Sequence, residues 1–340
     1  MKKVVTFGEI MLKLSTLDHQ RFIQASQMNV EYAGAEANVA VSLANFGLPV
    51  SYVTKVPEND FGQAACNTLK AYGVDTNFVA KGGDRLGIYF AEKGASQRPS
   101  KVVYDRKNSA IATAEADDFN WRTIFEDAQW FHFTGITPAL GPNVAEICLQ
   151  ACKQAKKMGL TVSCDLNYRS KLWSREDARQ TMSRLAEYID VCIANESDIS
   201  DVFGIASEQN DIEHGKLDVE TYDAIAAELM GKFPFRMVAI TKRESLSADD
   251  NNWSTSLYMR GECFHSRRYH IHIVDRIGSG DSFAAGLIFG LVNGYEPQRV
   301  IDFATAASCL KHSVEGDFNL VSKAEVESLV NNNYTGRIQR

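Results

Sequence analysis

Five short runs dense in β-branched and aromatic residues constrain this chain more than any other feature. They are VVTFGEIML (4–12), WFHFTGI (130–136), LTVSCDLN (160–167), DVCIANE (190–196) and RMVAITK (236–242). Between them the apolar residues recur with helical spacing. In NVAEICLQACKQAKKMG (143–159), Val144, Ile147, Cys148, Leu149, Ala151 and Cys152 form one stripe, and Gly159 suits the helix end. REDARQTMSRLAEYI and DVETYDAIAAELMGKF repeat the pattern. Strands alternating with helices in this way predict an α/β fold with a mainly parallel sheet covered on both faces.

Two regions break the rhythm. Residues 13–33 are polar with single apolar residues and show no helical pattern. LGIYFAEKGASQRPSKVVYDRK (86–107) reads as two strands around a turn containing Gly94 and Pro99. Together they predict a small antiparallel sheet, either a lid over a site at the strand ends or an edge hairpin. IASEQNDIEHGKLDV (205–219) is polar and reads as a surface loop.

Charge and cysteines narrow the function classes. The formal charge is −7 and no long basic run occurs, so neither nucleic acid nor membrane is an expected partner. An anionic ligand would need a local cluster. The seven cysteines are odd in number and include no C-x-x-C pair. They read as reduced thiols of a cytoplasmic protein. Cys148 and Cys152 lie one helical turn apart without a nearby histidine, which favours small buried hydrophobes over a metal pair. Glu9 interrupts the apolar N-terminal stretch, which therefore reads as a strand and not a signal peptide.

The stretch VDRIGSGDSFAAG (274–286) carries the chemistry. YHIHIVDR before it alternates like a strand, and DSFAAGLIFGLVNG after it is apolar nearly all round, like a buried helix. A glycine turn between strand and helix is the geometry of an anion site, with free N–H groups and the helix dipole aimed at the ligand. The pattern is not a P-loop. It is not G-x-G-x-x-G either, since Phe283 stands at the third glycine. Asp281 has two readings: a helix cap, or a base that takes a proton from an attacking hydroxyl.

A second stretch, YAGAEANVAVSLANFG (32–47), leads from a glycine turn into an amphipathic helix. Its AGAEANVA (33–40), together with DRIGSGD (275–281), resembles the two signatures of the ribokinase-like (PfkB) carbohydrate kinase family. Those signatures are G-G-x-x-x-N-x-A and D-T-x-G-A-G-D. The departures are Ala33 for glycine, Arg276 for threonine and Ser279 for alanine. NESD (195–198) is similar to the family's N-x-x-E, with Asp198 in the glutamate position. The resemblance covers essentially the whole chain. It implies a single ribokinase-like, three-layer domain over 1–340, with a β lid formed by segments near 13–33 and 86–107.

Within the family, IYFAEKG, VVYDRKNSA, FHFTGITPAL, DLNYRSKLWS and KHSVEGDFN are similar to segments of the 2-keto-3-deoxygluconate kinases. The implied reaction is transfer of a phosphoryl group from ATP to the terminal hydroxyl of that sugar acid. By resemblance Asp281 is the base, and Gly278, Ser279 and Gly280 form the anion hole. Gly34, Asn38, Tyr89, Tyr104, Arg106 and Arg169 hold the sugar acid, since an arginine fork suits a carboxylate. Asn195 and Thr241 lie along the nucleotide, with Ala307 and His312 near the adenine; His312 reads equally as a surface histidine. Glu196 and Asp198 hold Mg²⁺ through water, and Asp275 orders the anion loop beside a monovalent cation, K⁺. In TKRESLSAD (241–249), Lys242 and Arg243 replace a glycine-rich loop and either reach the ATP phosphates or are solvated. A homo-oligomer, dimer or higher, built on the exposed lid strands is expected. The competing readings are a fructokinase or nucleoside kinase, a non-catalytic sugar-acid sensor, and a nicotinamide oxidoreductase. The last is disfavoured by the position of the glycine turn.

Overall fold

The computed structural model describes residues 2–205 and 219–332. The loop expected at 205–219 therefore lies almost wholly outside the described residues. The large sheet runs in the order Glu262–His265, Asp250–Met259, Met237–Ser245, Val191–Asn195, Thr161–Asp165, Ala128–Thr134, Lys3–Phe7, Val50–Val53. Every pairing from Val50–Val53 to Met237–Ser245 is parallel. Beyond that the sheet continues antiparallel, and Tyr269–His272 also joins Asp250–Met259.

The parallel strands are buried on both faces, and their side chains alternate between two cores. Val4, Val191 and Ile193 enter one, with the helices Ala35–Asn45, Ser279–Val292 and Pro297–Lys311. Val5, Cys192 and Ala194 enter the other, with Pro142–Lys157, Arg175–Ala186 and Glu196–Phe203. The result is three layers. The helix Ser279–Val292 is buried along most of its length, as its composition predicts. It crosses Pro297–Lys311 closely: a Cβ on Gly286 would lie 2.7 Å from the Cα of Ala304. Cys148 and Cys152 are free thiols inside the second core. No helix among the described residues is long and apolar enough to cross a membrane.

Two expectations are corrected. The run 4–12 is not one strand but two, Lys3–Phe7 in the large sheet and Met11–Thr16 in a smaller one. The break falls where Gly8 lets the Glu36 carboxylate approach; a Cβ there would sit 2.0 Å from its Oε2. Glu9 then turns inward to a buried ion pair with Arg106. The smaller sheet, in the order Met28–Ala33, Met11–Thr16, Gly87–Glu92, Lys101–Asp105, is mixed and not antiparallel. It consists of two hairpins whose first strands lie side by side, and those two pair in parallel. At the tip of the second hairpin, Ser96 accepts a bond from Ala248 N–H (2.8 Å) and donates its own N–H to Asp249 Oδ2 (2.7 Å). The small sheet is thereby fastened to the turn that follows Met237–Ser245.

Candidate active site

A cavity of about 370 Å³ lies between the small sheet and the C-terminal ends of the parallel strands. Its floor is the glycine turn. Gly278 adopts φ +83, and a Cβ there would collide with the Asp317 carbonyl oxygen at 2.0 Å, so only glycine fits. Gly280 has open space where its Cβ would be. The helix begins at Ser279, and the N–H groups of its first turn have no intrahelical acceptors.

Asp281 stands in that first turn without capping the helix, because the cap position is Gly278 and no side-chain cap bond forms. Its Oδ2 instead accepts from Asn38 Nδ2 at 2.7 Å. Burial pushes the carboxyl up to about 7, against the pull of the Asn38 hydrogen bond, with Asp317 and Glu36 adding repulsion. A carboxyl raised this far lies in the range suited to taking up a proton near neutral pH. Asn38 Oδ1 is buried with no partner among the described residues, an acceptor ready for a hydroxyl.

On the small-sheet side, Gly34 caps the helix Ala35–Asn45, and a Cβ on it would lie 1.9 Å from Glu9 O. Tyr89 and Tyr104 are cross-strand partners with ring centroids 5.9 Å apart. The Tyr89 hydroxyl donates to Asp317 Oδ2, while Tyr104 is 39% exposed. Arg106 departs from the expected free fork. It lines the cavity, but its Nε donates to Glu9 Oε2 at 2.8 Å and its Nη2 donates to the same oxygen. Ser109 Oγ holds the other Glu9 oxygen at 2.5 Å. Arg169 is exposed, lines the same cavity, and lowers the pKa values of Asp165, Asp198 and Asp281 through its field.

Across the cavity, Asn195 and Thr241 sit opposite each other on adjacent strand ends. Arg243 and Arg276 line this side. Arg243 lies over the Trp253 ring at 5.4 Å and is exposed toward the cleft. Arg276 Nη2 donates to Ala248 O at 2.9 Å. Lys242 packs on Tyr222, its ammonium 4.0 Å from the ring centroid, and does not line the cavity. Neither Ala307 nor His312 lines this cavity, and the reading of His312 as a surface histidine is corrected. Ala307 is fully buried in the core against Gly286 and does not line the cavity. His312 is neither at the cavity wall nor on the surface. It is fully buried, its Nδ1 is 2.8 Å from Ser308 O, and burial lowers its pKa to about 4.

The acidic residues divide differently from expectation. Asp198 Oδ1 accepts from Tyr168 N–H and Oδ2 from Asn195 Nδ2, and burial raises its pKa to about 6. Asp165, which the motifs did not single out, lies beside it in the cavity wall and is raised well above the carboxylate range by burial and by Asp198. Glu196 does not line the cavity, and its buried Oε2 has no partner among the described residues. The neighbouring Asp165 and Asp198 carboxylates in the cavity wall suit a hydrated divalent cation held through water. Among the described residues no group of three or more His, Cys, Asp or Glu is placed to hold a metal ion. Asp275 differs again. Its oxygens accept from Ile277 N–H (3.2 Å) and Gly316 N–H (3.1 Å), so it orders the loop.

A buried, raised carboxyl beside a glycine turn at a helix start, facing a polar cleft with arginines on both sides, suits a phosphotransferase acting on a hydroxyl compound. The family model for pfkB family carbohydrate kinases matches residues 1–323, and the chain belongs to that family. Its ribokinase-like fold matches the crystal structure of a 2-dehydro-3-deoxygluconokinase from Thermotoga maritima with a TM-score of 0.94 and 52% identity, covering 97% of this chain and 100% of that one. The chain is also 33% identical over 328 residues, 96% of each chain, to a 2-dehydro-3-deoxygalactonokinase of Haloferax volcanii. A 2-dehydro-3-deoxygluconokinase of Bacillus subtilis is 28% identical over 318 residues, 93% of this chain and 91% of the relative.

Proposed function

We propose that this kinase transfers the γ-phosphoryl group of ATP to the 6-hydroxyl of 2-keto-3-deoxygluconate, giving the 6-phosphate. The observation that carries the reading is the Asp281 carboxyl, held by Asn38 and pushed up to about 7, at the mouth of the Gly278–Gly280 turn. Asp281 takes the hydroxyl proton as the oxygen attacks the phosphorus. The N–H groups of the turn stabilise charge on the transferring phosphoryl group. Asn38 Oδ1 and Tyr104 meet sugar hydroxyls. Arg169 meets the carboxylate as a fork, with Arg106 as a charge already balanced by Glu9. Arg243 and Arg276 face the ATP phosphates. Magnesium, held through water by Asp198 and Asp165, would supply charge neutralisation at the phosphates. The small sheet, pinned at Ser96, serves as the lid that excludes water.

The resemblance to the Thermotoga maritima and Bacillus subtilis kinases supports the gluconate sugar. The Haloferax volcanii relative favours a second reading, the galactonate epimer, which differs at one stereocentre. ADP release across sugar acids, hexoses, ribose and nucleosides decides between them. We expect the highest kcat/KM with 2-keto-3-deoxygluconate; a hexose or nucleoside ahead of both acids would refute the sugar-acid reading. In Arg169→Ala, kcat/KM for the acid should fall by roughly 10- to 100-fold, the worth of a charge-assisted hydrogen-bonded pair. The weak turnover of neutral sugars should stay level.

A further inference from the structure

Lys311 has no part in the chemistry above, yet it is fully buried at the end of the helix Pro297–Lys311. Its Nζ donates to Val314 O at 3.0 Å and reaches Asp275 O at 3.5 Å. Asp275 and Asp317 act on it through space, and among the described residues no carboxylate is paired with it directly. A buried ammonium without an ion pair is costly, so its retention calls for a physical reason. The reason lies in the two carbonyls. Asp275 opens the turn that ends at Gly278, and its carboxylate accepts from Gly316 N–H. Val314 precedes the segment that delivers Asp317 O against Gly278. The ammonium thus joins the two strands of backbone that shape the anion hole.

Backbone carbonyls turned toward one point are the ligands that a dehydrated potassium ion takes. Here each carboxylate oxygen of Asp275 already accepts one N–H, and its carbonyl, the ligand a potassium ion would take, faces the Lys311 ammonium. The expected potassium ion beside Asp275 does not fit this arrangement. We propose that the Lys311 ammonium is a built-in monovalent cation, a positioning residue that holds the anion-hole loop in shape and makes turnover independent of dissolved potassium. The inference rests on the kinase reading above.

The test begins with the wild-type enzyme, whose kcat should be the same in potassium-free and potassium-rich buffer. Lys311→Met keeps the stem without the charge. Its kcat should fall by roughly 100-fold, the scale of a damaged oxyanion hole, while KM for the sugar changes little. Lys311→Ala opens a hole of cation size; potassium or ammonium should restore much of its kcat, and lithium should not. Potassium activation of the wild type overturns the inference, as does a Lys311→Met enzyme with wild-type kcat. So does a cooperatively melting Lys311→Ala protein that neither potassium nor ammonium rescues. A wild type that releases no ADP with any sugar overturns the kinase reading and this inference with it, whereas a potassium-activated wild type overturns the inference alone.

Discussion

Asp281→Asn should bind sugar and ATP and lose kcat by roughly 10²–10⁴-fold, the usual contribution of a positioned base. The amide oxygen still accepts from Asn38, so the site keeps its shape while losing the group that receives the proton. Stability should move the other way. The folded carboxyl sits at about 7, above its ordinary value of 3.8, so the native state binds the proton more tightly than the unfolded chain does. Ionisation therefore opposes folding, and stability falls as pH rises through that window. The variant should be more stable than the wild type at pH 8 by about 2–4 kcal/mol, and no more stable at pH 4. Denaturant titrations at the two pH values measure the difference. The wild-type pH profile shares the same origin. Its kcat/KM should be flat above about 7 and fall below it, with Asp198 at about 6 steepening the lower limb. Wild-type turnover in Asp281→Asn would refute the base assignment.

Arg106→Ala should be the most destabilising single change in the sugar wall. Arg106 and Glu9 are 8% and 3% exposed, and two guanidinium donors converge on one Glu9 oxygen. Removing the cation strands a buried carboxylate, which costs about 3–5 kcal/mol. Glu9→Gln combined with Arg106→Ala should recover a large part of that loss, because the orphaned charge is gone. Thermal melts of the two single variants and the double variant separate this from a binding role. Sugar-acid turnover should stay low in the double variant, since its stability recovers while the wall remains altered. Equal melting temperatures for Arg106→Ala and wild type would mean that Glu9 finds another partner.

The buried architecture was legible because periodicity reports burial. The stripe in 143–159 and the runs at 160–167 and 190–196 became the helix Pro142–Lys157 and the strands Thr161–Asp165 and Val191–Asn195. The antiparallel extension was not legible. DNNWSTSLYM, the strand Asp250–Met259, is polar in its first half and gains its place by pairing with Met237–Ser245. The site shows the same division. Gly278, Gly280 and Asp281 belong to one local turn visible in seven residues, although that turn alone left Asp281 between a helix cap and a base. Arg106 looked like a free fork because its partner, Glu9, stands 97 positions away. His312 read equally as an adenine neighbour or a surface group, because nothing local shows that a helix end is covered. Asp317 had only the segment KHSVEGDFN as a signal, and its link to Lys13 spans 304 positions. Long-range charge pairing leaves no trace in periodicity.

Asp317 also bears on how the two substrates communicate. Its carbonyl packs under Gly278, while its carboxylate holds Lys13 Nζ at 2.7 Å and the Tyr89 hydroxyl. One residue therefore touches both the glycine turn and the small sheet. On the proposed reading a shift of Asp317 would be felt at both ends, and the two ligands would then be thermodynamically linked. The factor by which bound sugar tightens ATP must equal the factor by which bound ATP tightens sugar. A change at either end of Asp317 should then alter both affinities together, which binding of each ligand with and without the other measures.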